Sequence, residues 1–117
     1  MSYVDGFVLT VPKKKIAAYK KIASKAGKIW IEYGALDYRE CVGDDLNIKW
    51  GVPFTKIARP KSGETVVFSW IVYKNKADRN RINKLVMKDK RLSCDPKDMP
   101  FDCKRMTYGG FKTLVSK

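Results

Sequence analysis

The chain contains no histidine. That absence excludes Ser-His-Asp and Cys-His nucleophiles, His-ligated haem and the HExxH zinc site. Acid–base chemistry would fall to Asp, Glu, Tyr, Lys or Cys, whose pKa must then be moved by burial or neighbours. Cysteine is scarce: Cys41, Cys94 and Cys103 stand far apart, with no CxxC. An odd, widely spaced set suits neither a disulfide framework nor a zinc site, and fits a reducing, cytoplasmic setting. Buried, inert thiols are the expectation. Long apolar runs are missing too, since none approaches the roughly 18 residues of a membrane span. The start, Met1-Ser2-Tyr3-Val4-Asp5-Gly6, lacks the basic and apolar regions of a secretory signal. No membrane partner, cofactor or metal is expected, and Asp44-Asp45 reads as a turn because the other ligands of a calcium loop are lacking.

Acid is the remaining scarcity. The chain sets 12 Asp and Glu against 25 Lys and Arg, a net charge of +13. Such an excess attracts polyanions, and it also keeps a small protein soluble without any ligand. What is present is enough for a core. The 117 residues, 44% hydrophobic and 32% charged, suit one ordered domain spanning residues 1–117.

Hydrophobic periodicity divides the chain. Tyr3 to Val11 reads as a strand partly apolar on both faces, broken by Pro12. From Lys13, the apolar residues Ile16, Tyr19, Ala23, Ala26, Trp30 and Tyr33 recur at helical steps, with Gly34 as the C-cap and Gly27 admitting a close approach to the sheet. Ala35 to Val42 is a more polar strand in which Leu36, Tyr38 and Glu40 alternate with Asp37, Arg39 and Cys41. The long loop to Gly63 leaves its path open and has room for a short extra strand. Glu64 to Tyr73 alternates cleanly, with Val66, Phe68, Trp70 and Val72 on one face and Val67, Ser69, Ile71 and Tyr73 on the other. Asn75 caps a helix running to about Lys90 that buries Ile82, Leu85, Val86 and Met87. Arg105 to Val115 is the last strand, where Gly109-Gly110 suggests a bulge or a close backbone contact.

The order strand, helix, strand, strand, helix, strand predicts an α+β, ferredoxin-like β-α-β-β-α-β fold. Four antiparallel strands carry both helices on one face. Nothing in the pattern covers the other face, although the strands are apolar there, so a homodimer packing sheet on sheet is expected.

Tyr3-Val4-Asp5-Gly6-Phe7-Val8, the Glu40-Cys41 pair, Val66-Val67-Phe68-Ser69-Trp70-Ile71, Met99-Pro100-Phe101-Asp102, Lys104-Arg105-Met106 and Tyr108-Gly109-Gly110-Phe111 together resemble the small bacterial YbaA-like family, across nearly the whole chain. The resemblance implies a dimeric α+β barrel. It implies no activity and supplies no catalytic residues.

Residue chemistry offers three candidate sites. Asp5, an acid in an apolar strand, is the one candidate base, against the more ordinary reading of an ion pair with Lys104 or Arg105. Phe68, Trp70 and Tyr108, with Arg105, are the candidate lining of a pocket between helix and sheet for a small apolar ligand. Lys14, Lys21, Lys25 and Lys28 on the first helix, and Lys84, Lys88 and Arg91 on the second, form the basic surface of an alternative nucleic-acid reading. A solvated helix face is the commoner explanation of such a pattern. The leading expectation is a homodimeric ligand- or protein-binding module. The alternative from another class is a cofactor-free enzyme of the dimeric α+β barrel type, an analogy from fold alone.

Overall fold

Two ten-residue strands organise the molecule. In the computed structural model, which describes residues 1–92 and 95–117, β1 (Tyr3–Pro12) runs antiparallel to β3 (Glu64–Tyr73) over its whole length. Pro12 ends β1 opposite Glu64 rather than interrupting it. At the end of a strand its missing N–H costs the ladder little. The shorter strands β2 (Asp37–Val42) and β4 (Thr107–Lys112) pair on either side, giving the order β2-β3-β1-β4.

The register sorts side chains between the two faces, because directly opposed residues in an antiparallel pair point the same way. Tyr3, Asp5, Leu9 and Val11 share one face with Val67, Ile71 and Tyr73, and all seven are buried. Two helices cover this face: α1 (Ile16–Glu32) and α3 (Lys76–Met87). Ile29, Ile71, Tyr73, Ile82 and Val86 form one half of the core, and Leu9, Val11, Tyr19, Ala23 and Val67 the other.

The helix limits are tighter than the periodicity suggests. Lys13–Lys15 form a 3-10 turn before α1, and Gly34 follows the helix with φ +119, a conformation glycine adopts without strain. Asn75 Oδ1 accepts from Asp78 N–H at 2.8 Å, the expected cap of α3. That helix stops at Met87, so Ile82 and Val86 are buried as anticipated, whereas Leu85 is 38% and Met87 76% exposed. A helix of three turns presents only one narrow stripe inward. The last strand is likewise shorter than expected, because Cys103–Arg105 form a 3-10 turn. Its register with β1 runs unbroken through Gly109 and Gly110, so no bulge forms. The close contact is there instead: a Cβ at Gly110 would collide with the Tyr3 ring.

The opposite face of the sheet carries Val4, Val8, Phe68, Trp70, Val72 and Phe111. One end of it is covered by the chain itself, contrary to the sequence pattern. The segment after β2 contains a short helix rather than a strand, α2 (Phe54–Ala58), whose Phe54 ring packs edge-on against Phe68 with centroids 5.6 Å apart. Beneath it Thr10 and Val66 are buried. Beyond it the face stays open.

Candidate functional site

A recess lies between α1 and the edge strand β2, on the helix side of the sheet. It has a volume of about 870 Å³. Its origin is the run of small residues where α1 faces β2: Ala17, Ala23, Ser24 and Gly27. The helix therefore stands close to the strand at Gly27, where a Cβ would lie 2.8 Å from the Tyr38 ring. Elsewhere it leaves a groove walled by Ile16, Ile31, Val42 and Val67.

Glu40 lies in this groove with no cation within ion-pair distance among the described residues. Two phenols satisfy it instead. Tyr19 donates to Oε1 at 2.7 Å and Tyr38 donates to Oε2 at 2.8 Å. Burial, and then the nearby Glu40 charge, push both phenols well above their ordinary 10.0, so they remain donors at any physiological pH. An ionised carboxylate has about four acceptor positions, so Glu40 keeps free acceptor capacity toward the groove.

Sequence reasoning named none of these three residues as a site. Tyr19 was indistinguishable from the core stripe of α1. The available signal was Glu40 itself, an acid sharing the inward face of β2 with Tyr38, where an apolar residue is the rule for a strand under a helix.

The predicted ligand-lining residues occupy other places. Phe68 and Trp70 point to the open face, away from the helices, because their register partners are Val8 and Gly6. Trp70 Nε1 donates to Asp37 Oδ2 at 3.2 Å, which pins the indole across the sheet. A second recess of about 600 Å³ on this open face brings Phe68 and Trp70 together with Phe111, whereas Tyr108 opposes Phe7 in the register and points to the helix side. Tyr108 stacks on Phe7 at 6.0 Å. Arg105 is not among the residues of either recess. Its guanidinium forks onto both Glu64 oxygens at 2.9 Å and donates to the Arg59 carbonyl at 2.8 Å, fastening the residues after α2 to the start of β3.

Asp5 pairs with neither Lys104 nor Arg105. The helix-side register directs it to α3, where Arg79 Nε donates to both its oxygens at 3.1 Å and Arg79 Nη2 lies 3.0 Å from Oδ1. Asn83 adds a weaker contact at 3.4 Å and links on to Tyr73 and Trp30. Asp5 is thus a buried acid whose charge is matched by Arg79.

The lysines of the basic surface, Lys14, Lys21, Lys25, Lys28, Lys84 and Lys88, are exposed and make no ion pair among the described residues. Arg91 is different: it bridges Glu32 at 2.9 Å and Asp89 at 2.8 Å, so its charge is already matched. Cys41 and Cys103 are exposed rather than buried, because Cys41 points outward from an edge strand and Cys103 begins a surface turn. Cys94 lies outside the described residues.

The strand order and the helices on one face define a ferredoxin-like α+β domain. Within that class the chain belongs to the family described as "Protein of unknown function (DUF1428)", whose model matches residues 2–103. It is 41% identical over 117 residues, the full length of both chains, to the uncharacterized protein YbaA of Escherichia coli K12. Among solved structures it resembles a dimeric ferredoxin-like protein from an uncultured marine organism, with TM-score 0.59 and 10% identity over 99% of this chain and 98% of that one. It also resembles SnoaB, a cofactor-independent oxygenase from Streptomyces nogalater, with TM-score 0.55 and 11% identity over 98% and 95% of the two chains. Identities this low carry the fold alone, and the family description assigns no activity.

Proposed function

We propose that the protein is a homodimeric binding module that holds a small, mostly apolar ligand in the groove between α1 and β2. The observation that carries this reading is the groove itself: a recess of about 870 Å³ with apolar walls and one carboxylate held by two phenols. Recesses of roughly 300–1,000 Å³ with few polar groups are the usual form of small-molecule sites. The dimer reading is supported by the open sheet face, where Val4, Trp70, Val72 and Phe111 form a contiguous apolar surface beyond the reach of α2. The fold neighbour described as dimeric supports a second copy of this chain as its cover. Two exposed, unpaired cysteines suit a reducing, cytoplasmic setting.

Filling the groove tests the ligand reading. Ser24 is exposed on its lip, so Ser24→Trp leaves the core intact and occupies the recess. Binding of an apolar fluorescent probe such as anilinonaphthalene sulfonate is expected in the wild type and lost in the variant. Equal binding by both would overturn the reading.

A cofactor-free enzyme is the second reading, favoured by one observation: Glu40 and the two phenols are hydrogen-bonded groups facing an apolar recess, where proton transfer to or from a ligand is feasible. Chemical change in a bound ligand, followed by mass spectrometry and abolished by Glu40→Gln, separates it from simple binding.

A further inference from the structure

Building on the groove reading, we propose that its ligand is a hydroxylated apolar acid, with a hydroxyl donated to Glu40 at the inner end and a carboxylate held at the mouth by Lys20 and Lys28.

The inner end selects for a donor. Both phenols spend their protons on Glu40, at 2.7 and 2.8 Å, so what remains free there is acceptor capacity on Glu40 and on the phenol oxygens. A ligand carboxylate placed inside would meet Glu40 as a like charge in an apolar recess, an arrangement that costs both partners their solvation. A hydroxyl satisfies the site without importing charge.

The mouth selects for an anion. Lys20, Ser24 and Lys28 follow one another at four-residue steps along the lip of α1, which puts the two lysines about 12 Å apart at 1.5 Å per residue. Both are exposed and make no ion pair among the described residues. The other acid at the groove, Glu32, is bound by Arg91 at 2.9 Å, so its charge does not cancel theirs. The groove therefore has a negative inner end, apolar walls and a basic lip. An organic cation would satisfy the inner end but leave the lysines without a partner and be repelled by them on entry.

Calorimetric titration of the full chain with matched naphthalene probes tests this. The probes are a hydroxynaphthoate with its groups at opposite ends, naphthoate, naphthol and naphthylmethylammonium. Hydroxynaphthoate is expected to bind tightest. Loss of its hydroxyl should weaken binding about tenfold, the effect of one hydrogen bond to a charged acceptor. Loss of its carboxylate should weaken binding several-fold and remove its salt dependence. Glu40→Gln should shrink the hydroxyl preference, with folding checked by circular dichroism. Lys20→Ala with Lys28→Ala changes only exposed side chains; it should weaken both acids and leave naphthol unchanged. Equal binding of the acids and naphthol, insensitive to the lysine pair, would overturn the proposal while the groove reading stands. So would tighter binding of the ammonium probe. Binding that Ser24→Trp does not weaken would remove both.

Discussion

Removing Arg79 leaves Asp5 buried against α3 without its cation, beside Asn83 at 3.4 Å and the Tyr73 phenol. Breaking a buried pair by removing one partner costs about 3–5 kcal/mol, because an uncompensated charge stays behind. Arg79→Met is expected to lose that much in urea unfolding at neutral pH. Asp5→Asn with Arg79→Met should lose clearly less. If the single and double variants are equally unstable, the pair is not what Asp5 contributes. A second acid gives a pH signature. The fork of Arg105, aided by the Lys61 backbone N–H, holds Glu64 down from 4.5 to about 2. Its folded pKa lies below its unfolded one, so protons favour the unfolded chain. The stabilisation is complete above about pH 4.5 and is lost as pH falls toward 2. Unfolding midpoints measured across that window should fall more steeply for the wild type than for Glu64→Gln. Parallel curves would contradict the assignment.

At the level of elements, Gly27 is where helix propensity and packing oppose one another. Alanine inside a helix normally gains about 1 kcal/mol over glycine. Here its Cβ would meet a Tyr38 ring held by Glu40 and packed beside Trp30, and overpacking costs about 1–3 kcal/mol. Gly27→Ala should therefore be neutral to destabilising alone and stabilising in a Tyr38→Ala background. A gain in both backgrounds, measured by urea unfolding, would mean that the ring yields freely. The elements were legible where local periodicity and burial agree. β3 and the Asn75 cap could be read residue by residue, because alternation and capping are short-range. Leu85 and Met87 could not, because their exposure depends on where α3 stops over the sheet. The partner of Asp5 was equally hidden: strand neighbours are visible in a topology, but the helix residue above a strand depends on helix placement. Tyr19 comes from α1, and Tyr38 and Glu40 from β2, so the three meet only through that same placement.

The molecule as a whole leaves its open sheet face as the largest unresolved demand on solvent. Phe111 is 62% exposed there, on the edge strand opposite the one that carries Glu40 and on the other face of the sheet from the Asp5–Arg79 pair. Phe111→Asp should convert a micromolar dimer to monomer in sedimentation equilibrium, with the helical circular dichroism unchanged. A wild type that sediments as a monomer under the same conditions would refute the sheet-on-sheet assembly. The arrangement of β1 also bears on how the chain comes into being. β1 precedes both its partners in the chain yet is central, and they begin at Glu64 and Thr107. Ser2 and Thr113 are joined both through the backbone at 3.1 Å and through their hydroxyls at 2.6 Å. On a ribosome adding about 5–20 residues each second, β1 must wait until Thr107–Lys112 has been made before both its edges are paired. The native sheet is completed only once β4 has emerged, so the apolar β1 depends on shielding until then.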